Sequence, residues 1–160
     1  MRRALRWLAL IVVVIAVGIA LTMAAARFHD GPLGPFSGGA FRTGELVPAP
    51  GDWSFAKDER TLELELPPDA GRSVTTWFAV VEGKLFVPSA IAESKRWPKL
   101  VLADGRVRVR LQGRIYPLTA TRVDDVATLS HVAPEIGAKY HVTDKGFGTR
   151  DWIFALTPRE

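Results

Sequence analysis

Basic side chains are concentrated between residues 95 and 122, where eight of them accompany a single acid, Asp104. The first three stand at the start of a segment that predicts a short helix capped by Ser94; they are Lys95, Arg96 and Lys99. The amino end of a helix already favours a negative charge, so cations in its opening turns indicate that an anion binds there. The alternative is that these cations are simply solvated.

The next three arginines alternate with apolar residues in "RVRVRL", which predicts a strand with one charged face. For Arg106, Arg108 and Arg110 we favour pairing with Glu63 and Glu65 across a sheet over a role in ligand binding. The two glutamates themselves alternate along "TLELEL". They are predicted to form a solvated strand face and not a catalytic carboxylate pair.

Other reactive constellations are missing from the sequence. The chain has no cysteine, which excludes thiol catalysis and cysteine-ligated metals. Its three histidines have no metal-ligand spacing; they are His29, His131 and His141. No nucleophile elbow, P-loop or dinucleotide fingerprint is present, and Gly146 and Gly148 predict a turn. A hydrolase or transferase therefore has no nucleophile and base to support it.

The N-terminal residues predict a membrane span. Between Trp7 and Ala26 there is no charged residue, and about 20 apolar residues are needed for a helix to cross a bilayer. A cleaved signal peptide is the alternative, because Ala24–Ala26 offers small residues for cleavage. The apolar run is longer than a signal core of about 7–15 residues, so we predict an uncleaved anchor.

The distribution of charge bears on partners and topology. Four of the 21 basic residues precede residue 28 and no acid does, which leaves 17 basic and 17 acidic residues in the rest of the chain. A neutral remainder argues against nucleic-acid binding. Three arginines lie before the span, and only Arg27 follows it directly. The positive-inside bias then predicts a single-pass cell-membrane protein whose C-terminal part is extracytoplasmic.

A segment rich in glycine and proline, residues 28–57, follows the span and predicts a linker that lies over the domain. Its aromatic residues are expected to dock on the core; they are Phe36, Phe41, Trp53 and Phe55. We therefore predict three parts along the chain: an anchor over 1–27, the linker over 28–57, and a folded domain over 58–160.

Within the domain, alternation of apolar and polar residues predicts mostly strands. "TLELEL" is a strand ended by Pro67 and Pro68, "SVTTWFAVV" a central strand, and the turns Glu82-Gly83 and Gln112-Gly113 make two hairpins. Pro117 is expected to demote part of its strand to an edge or bulge. The second helix is predicted over 124–140, capped by Asp124 or Asp125 and interrupted at Pro134. "DWIFAL" predicts a last strand.

The predicted fold class is therefore mainly β with some α: a small antiparallel barrel with two short helices, preceded by one transmembrane helix. Tight turns between neighbouring strands require antiparallel pairing, and a sheet of this size closes most easily into a barrel.

Two stretches, "TTWFAVVEGKLFVPSA" and "SKRWPKLVLADGRVRVRLQGRIYPLTATRV", resemble the flavin-nucleotide-binding split β-barrel of the pyridoxamine-phosphate-oxidase and deazaflavin-dependent nitroreductase type. That family has a Trp-Phe hairpin followed by a helix with Ser-x-Lys and an Asp-Pro-Arg, then a paired-strand hairpin. The resemblance covers about Arg60 to Val123, and Asp104-Gly105-Arg106 replaces Asp-Pro-Arg.

The resemblance implies a flavin cofactor, FMN with a deazaflavin as the alternative, and an oxidoreductase whose flavin does the redox chemistry. The cofactor phosphate would meet Ser89, Ser94, Lys95, Arg96 and Lys99. The ring would lie against Thr75, Thr76 and Trp77. A homodimer is also implied. Because relatives of this type are typically cytoplasmic, an exported barrel that has lost the flavin and binds a partner or an anionic lipid is the alternative function.

Overall fold

The computed structural model describes residues 2–67, 70–142 and 150–159. The chain begins with helix α1 (Arg2–Ala26), of which the 22 residues Leu5–Ala26 are long and apolar enough, by length and composition, to cross a membrane. At 1.5 Å per residue they extend about 33 Å, against a hydrocarbon core of about 30 Å. Except for Ala26, which is buried, the apolar side chains described in this stretch are exposed and do not pack on the rest of the protein.

Eight strands and two further α-helices make up the remainder of the described chain. The strands are β1 (Glu45–Leu46), β2 (Thr61–Glu65), β3 (Ser73–Trp77), β4 (Ala79–Val81), β5 (Lys84–Ser89), β6 (Arg106–Leu111), β7 (Arg114–Arg122) and β8 (Trp152–Pro158). The helices are α2 (Arg96–Ala103) and α3 (Val126–Tyr140), with short 3-10 turns at Ser54–Ala56 and Ala92–Ser94.

The strands form one sheet in the order β3-β2-β6-β7-β8-β5-β4. All pairs along this path are antiparallel, and β1 joins β7 in parallel beside it. The two ends of the path, β3 and β4, are consecutive in the chain and separated only by Phe78. The sheet is therefore a nearly closed barrel, and the predicted fold class is confirmed.

Both predicted hairpin turns are present, between β4 and β5 and between β6 and β7. Glu82 and Gly83 have φ of 50° and 72°, and Gln112 and Gly113 have φ of 50° and 77°. Positive φ at both central residues is typical of the type I′ turn, whose twist matches that of the strands.

The barrel interior holds the main apolar core. The alternating residues of β2, β6 and β8 point into it as predicted, with Leu64, Val109 and Phe154 each at most 1% exposed. A second cluster lies outside the barrel, where Ile136 and Val132 of α3 cover Phe86 and Ile153. Helix α3 is thus held against the outer face of β4, β5 and β8.

Several predictions for the strands are wrong. The "SVTTWFAVV" segment is not one central strand. It forms β3 and β4, which are separated at Phe78 and lie at the two ends of the sheet. Glu65 is not solvated: it is 4% exposed, since segment 28–57 covers it. Strand β7 continues through Pro117, whose carbonyl accepts from Arg159 N. The missing N–H faces the same side, between the last β1 pair at Ile115 and the first β8 pair at Leu118, where it costs no ladder bond; the predicted local edge is thus present, without a bulge.

The helices also differ in part from their predictions. Helix α2 begins at Arg96 with Lys95 at its N-cap and no capping side chain, so Ser94 is not the cap. Ser94 is instead the last residue of the 3-10 turn Ala92–Ser94, which precedes α2. Helix α3 runs unbroken through Pro134, and Asp125 is its cap, accepting from Thr128 N at 2.7 Å. Pro68, Gly146 and Gly148 lie outside the described residues.

The segment between α1 and β2 packs on the barrel. Trp53 and Phe41 are buried, Phe36 is partly buried, and Phe55 is half exposed. The sequence did not predict β1, whose two residues pair with Arg114 and Ile115. Close contact with the barrel explains why this glycine-rich segment has a defined path. The division into three domain parts stays a prediction.

Candidate functional site

A cleft of about 310 Å³ opens at the end of β3, and we call it the β3 cleft. Strand β3, the end of β5, the connection into α2 and the start of β8 contribute to its walls. The wall is largely apolar, with one cation and one acid. Its lining residues are Thr75, Thr76, Trp77, Pro88, Ala90, Lys95, Val142 and Asp151.

Trp77 forms an aromatic wall of the cleft because β3 ends there. Its indole stacks on the Tyr140 ring, with centroids 4.4 Å apart and planes 5° apart, yet it is 47% exposed. Stacking covers one face of the indole and fixes its orientation. The remaining surface is available to a planar ligand in the cleft.

Tyr140 of α3 is hydrogen-bonded to Phe78, the residue between β3 and β4. Its hydroxyl accepts from Phe78 N at 3.0 Å and lies 2.6 Å from the carbonyl oxygens of both Phe78 and Arg60. The single hydroxyl proton can be donated to one of these carbonyls at a time. Burial raises the pKa of Tyr140 above its ordinary value, so the neutral phenol is maintained at physiological pH.

The connection from β5 to α2 brings Lys95 to the cleft. Ile91 has φ 47° and ψ 51°, a left-handed conformation that is unfavourable for a β-branched residue. Two hydrogen bonds hold it: Asp151 Oδ1 accepts from Ile91 N at 2.6 Å, and Ser94 Oγ donates to Ile91 O at 2.8 Å. The strained turn directs the chain from Ala90 to Lys95, and such strain is common near functional sites.

A second, smaller cleft of about 230 Å³ lies at the start of α2, and we call it the α2 cleft. Lys95 lines both clefts. Its other lining residues are Ser37, Leu66, Arg72, Val74, Arg96, Trp97 and Leu100. Among the described residues, three cations and no acid line this cleft.

The structure separates the predicted site residues. Thr75, Thr76, Trp77 and Lys95 line the β3 cleft, and Arg96 lines the α2 cleft. Lys99 is exposed on α2 and lines neither.

The two predicted serines do not line either cleft. Ser94 is exposed, and its hydroxyl is bonded to Ile91 O. Ser89 is 1% exposed, and its Oγ has no hydrogen-bond partner among the described residues. Because side chains alternate along a strand, Ser89 shares the inward face of Leu85 and Val87, opposite Pro88.

The strand arginines are neutralised by the protein's own acids. Arg108 Nη2 lies 2.7 Å from Glu65 Oε1, and Arg110 Nε lies 2.5 Å from Glu63 Oε2. Arg106 pairs with Asp104 instead. Pairing of Arg108 and Arg110 with the two glutamates of β2 is confirmed, so these arginines do not form a ligand site.

Lys95, Arg96 and Lys99 form no ion pair within the described residues. Helix α2 has no acid in its first turn and no side-chain cap. The N–H groups of its first turn therefore have no side-chain acceptor among the described residues. Lys95, Arg96 and Lys99 therefore form a group of basic side chains at the start of α2, beside the β3 cleft.

The types of side chain that line the β3 cleft are suited to a flavin. The β3 cleft offers an exposed indole for stacking, apolar walls and an unpaired cation, and its volume is at the lower end of the roughly 300–1,000 Å³ of small-molecule sites. An aromatic ring carrying an anionic group is the ligand that such a set of side chains accommodates best.

The sequence missed several residues of the two clefts. Arg72, Ser37 and Asp151 come from three separate segments and reach the clefts only in the folded chain. Ser37 and Arg72 stand in turn-rich stretches without periodicity, and no local pattern distinguishes them. The isoleucine at a left-handed position also has no sequence signal.

No family profile matches this chain, and no curated protein matches its sequence. Its structure is similar to that of a Listeria innocua protein provisionally named a pyridoxamine 5′-phosphate oxidase, with TM-score 0.53 and 11% identity over 67% of this chain and 90% of the other.

Two further solved structures are also similar. One is the conserved protein Rv2991 of Mycobacterium tuberculosis, with TM-score 0.49 and 16% identity over 66% of this chain and 77% of that one. The other is a FAD-binding protein of Mesorhizobium loti, with TM-score 0.47 and 14% identity over 65% and 84% of the two chains. The nearly closed antiparallel barrel of this chain is thus the fold it shares with the Listeria innocua structure.

Proposed function

We propose that this protein is a membrane-anchored flavin-nucleotide-binding protein, FMN being the preferred cofactor and a deazaflavin the alternative. The observation that carries the proposal is the meeting of Thr75, Thr76, Trp77 and Lys95 in one cleft of a split β-barrel. These four residues come from two segments nearly twenty positions apart. The resemblance in sequence implied the first three for the flavin ring and Lys95, as one of five residues, for the phosphate.

In this proposal each residue has a distinct role. Trp77, oriented by Tyr140, stacks on the flavin ring, and the backbone of Thr75 and Thr76 contacts its edge. Lys95 binds the phosphate, supported by the uncapped start of α2 and the charges of Arg96 and Lys99. A bound flavin would supply the redox chemistry of an oxidoreductase. Ser89 and Ser94 take no part, given their positions.

We further propose that α1 anchors the protein in the cell membrane by a single pass, with the barrel on the extracytoplasmic side. Arg3 and Arg6 lie at the amino end of the apolar stretch, and Arg27 alone follows its carboxyl end. This asymmetry favours retention of the amino end in the cytoplasm. A C-terminal alkaline phosphatase fusion should accordingly be active, whereas a cytoplasmic barrel would give an inactive fusion.

The cofactor proposal is tested by titrating the full chain, in detergent, with FMN and following the quenching of flavin fluorescence. Lys95→Ala should raise the Kd for FMN at least tenfold, because a charge-assisted hydrogen bond contributes about 1.5–3 kcal/mol. Lys57→Ala is the matched control, since this exposed lysine lines neither cleft.

Trp77→Leu tests the stacking role separately and should also weaken binding while leaving the barrel folded. A wild-type protein that is colourless and takes up neither FMN nor a deazaflavin would contradict the proposal. That outcome would favour the cofactor-free binding module. The homodimer implied by the resemblance stays a prediction and is checked by light scattering of the same sample.

A further inference from the structure

A short uncharged loop follows α1, and we call residues 31–38 the junction loop. No charged residue occurs in residues 31–41. Leu33 and Phe36 exchange two backbone hydrogen bonds of 3.0 Å. Between them Gly34 has φ of 57°, a conformation that favours glycine. The junction loop is therefore a compact turn with a defined shape.

The base of the junction loop is fixed to both α1 and the barrel. Ala26, the last residue of α1, is fully buried. Three residues later, the His29 carbonyl accepts from Gly39 N at 3.1 Å. Gly38 exchanges two backbone hydrogen bonds, of 2.9 Å and 3.1 Å, with Ser73 of β3. The loop therefore does not swing freely between the helix and the barrel, and its base lies at the carboxyl end of α1.

Two glycines allow this close contact. A Cβ on Gly39 would lie 2.7 Å from the carbonyl oxygens of both Arg27 and His29. A Cβ on Gly38 would overlap the Gly31 carbonyl. The two ends of the junction loop therefore touch each other, directly beside the residues that follow α1. The residues between these ends extend away from the contact.

Apolar side chains of this region are exposed. Phe28, two residues after α1, is 76% exposed, and Leu33 is 39% exposed. Pro35, in the same turn as Leu33, is also exposed. A single exposed apolar residue is ordinary in water, but these three closely follow an apolar helix, and the turn itself carries no charge. Aromatic side chains next to a span are typical of the boundary between lipid and water.

The dimensions of a bilayer bring its headgroup region within reach of the loop. The 22 apolar residues of α1 extend about 33 Å, which covers a hydrocarbon core of about 30 Å. The headgroups add roughly 5–8 Å on each side. Residues 32–37, three outward and three back, reach at most about 10 Å from the base of the loop, at ~3.3 Å per residue. A loop whose base touches the end of the span therefore lies at the membrane surface.

We propose that the junction loop, together with Phe28, inserts its exposed apolar side chains into the headgroup region of the bilayer. This is a second contact with the membrane besides α1. Its partner is the lipid surface, met through apolar contact and not through the charge of the lipid. The proposal rests on the membrane anchoring proposed above and is independent of cofactor binding in the β3 cleft. Two contacts would hold the barrel in one orientation on the membrane.

The test uses the absence of cysteine from the chain, which allows one probe per molecule. Leu33→Cys in the full chain is labelled with bimane and reconstituted in dioleoylphosphatidylcholine vesicles, with iodide on both sides. Iodide should quench this probe about fivefold less than the same probe in Lys57→Cys, because a charged quencher does not enter the lipid. Lys57 is exposed and precedes β2, whose first residue pairs with the end of β3 that is far from Ser73.

Lipids that carry a nitroxide identify what covers the probe. A nitroxide close to the headgroup should quench bimane in Leu33→Cys about twofold more than a nitroxide at the end of the acyl chain, because the loop lies at the surface. In Val13→Cys, within the apolar stretch of α1, the order should be reversed. Protection of the Leu33→Cys probe from iodide without quenching by either lipid would indicate a protein contact and would overturn the proposal.

A charge in the turn should withdraw the loop from the lipid. With bimane in Pro35→Cys, the added change Leu33→Glu should raise iodide quenching about threefold, because a carboxylate is unfavourable in lipid. Leu46→Glu in the same background is the matched control and should leave the quenching unchanged. Leu46 is an exposed leucine of β1, outside the junction loop. Equal quenching with and without Leu33→Glu would also overturn the proposal.

The anchor and the loop contact fail in different ways. Iodide quenching of the probe in Val13→Cys would contradict the anchor, and the loop contact with it. Protection in Val13→Cys, combined with equal iodide quenching in Leu33→Cys and Lys57→Cys, would overturn the loop contact alone. FMN binding should be the same in Leu33→Glu and the wild type, since Leu33 does not line the β3 cleft.

Discussion

At the scale of single residues, the carboxylate of Glu65 shows how a polar group becomes structural. It is 4% exposed and accepts from Phe41 N at 3.0 Å and from Arg108. The same side chain thus joins β2, β6 and the segment that precedes β1. A buried carboxylate is tolerated because every contact is a hydrogen bond to it.

Glu65→Gln should lower the free energy of unfolding by about 2 kcal/mol. Removing one partner of a buried pair costs up to about 3–5 kcal/mol, but Arg108 is partly exposed and can be hydrated when left alone. Urea unfolding of the full chain in detergent measures the change. Glu93→Gln, at an exposed site, is the control and should have almost no effect; an equal loss in both variants would contradict the argument.

Ionisation of Tyr140 makes the stability of the fold depend on pH in the alkaline range. Because burial raises its pKa, the folded state holds the phenol proton above pH 10, the ordinary pKa of tyrosine, and the unfolded state does not. Its contribution to stability is complete below pH 10 and is lost as the pH rises through the folded-state pKa.

Tyr140→Phe should cost about 1–3 kcal/mol at pH 7, since the buried Phe78 N–H loses its acceptor. The variant should also lose part of the fall in stability above pH 10. Thermal unfolding between pH 8 and 11 measures both effects, with Tyr116→Phe as the control. An unchanged alkaline profile in Tyr140→Phe would count against the assigned role.

At the scale of elements, the stretch 27–44 is held to the barrel by Asp30. Its carboxylate accepts from Arg42 N at 2.6 Å, from the Thr43 hydroxyl and from Arg110 Nη1 at 3.1 Å. Burial opposes the charge, but the bonds from Thr43 and Arg42 and the Arg110 charge outweigh it and lower the pKa of Asp30 to about 2.

A lowered carboxyl pKa gives stability that is present above about 4 and is lost as the pH falls toward 2. We expect the stretch 27–44 to open in this acidic range before the barrel unfolds. Hydrogen exchange of its amides at pH 2.5 and pH 5 measures the opening. In Asp30→Asn exchange should already be fast at pH 5, whereas Glu93→Gln should behave as the wild type. Slow exchange in Asp30→Asn would contradict this assignment.

At the scale of the whole molecule, the membrane anchor that we propose is α1. Its apolar surface is not covered by the barrel, so a protein with this helix in water would expose it entirely. The full chain should remain in the membrane fraction after alkaline carbonate washing. Release of the wild type into the supernatant would contradict a membrane anchor.

The double variant Val13→Arg/Val14→Arg should abolish membrane retention, because each arginine at the centre of a span costs about 3 kcal/mol on the insertion scale. Val126→Arg, at an exposed position at the start of α3, is the matched control, and this variant should stay in the membrane fraction.

The sequence by itself determined the elements whose causes are local. A run of uncharged residues was enough for α1, alternation was enough for the inward faces of β2, β6 and β8, and two dipeptide turns were enough for both hairpins. Through a resemblance between short patterns it also gave eight candidate cofactor residues, of which Thr75, Thr76, Trp77 and Lys95 line one cleft. Each of these inferences depends on residues that are close in the chain.

Only the tertiary structure decided which residues of remote segments come together, and which charges of the described residues have an ion-pair partner. Glu65 is buried because a distant segment covers it. Strands β3 and β4 are the two ends of the sheet because the chain leaves one and enters the other at Phe78. Arg72 lines the same cleft as Lys95 because two remote segments converge. Electrostatic and burial energies depend on distance in space, whereas periodicity depends on distance along the chain. For that reason the sequence could divide the cationic segment into paired strand arginines and cations without a pair, but it could not show that Arg72 and Ser37 join Lys95 and Arg96 in one cleft.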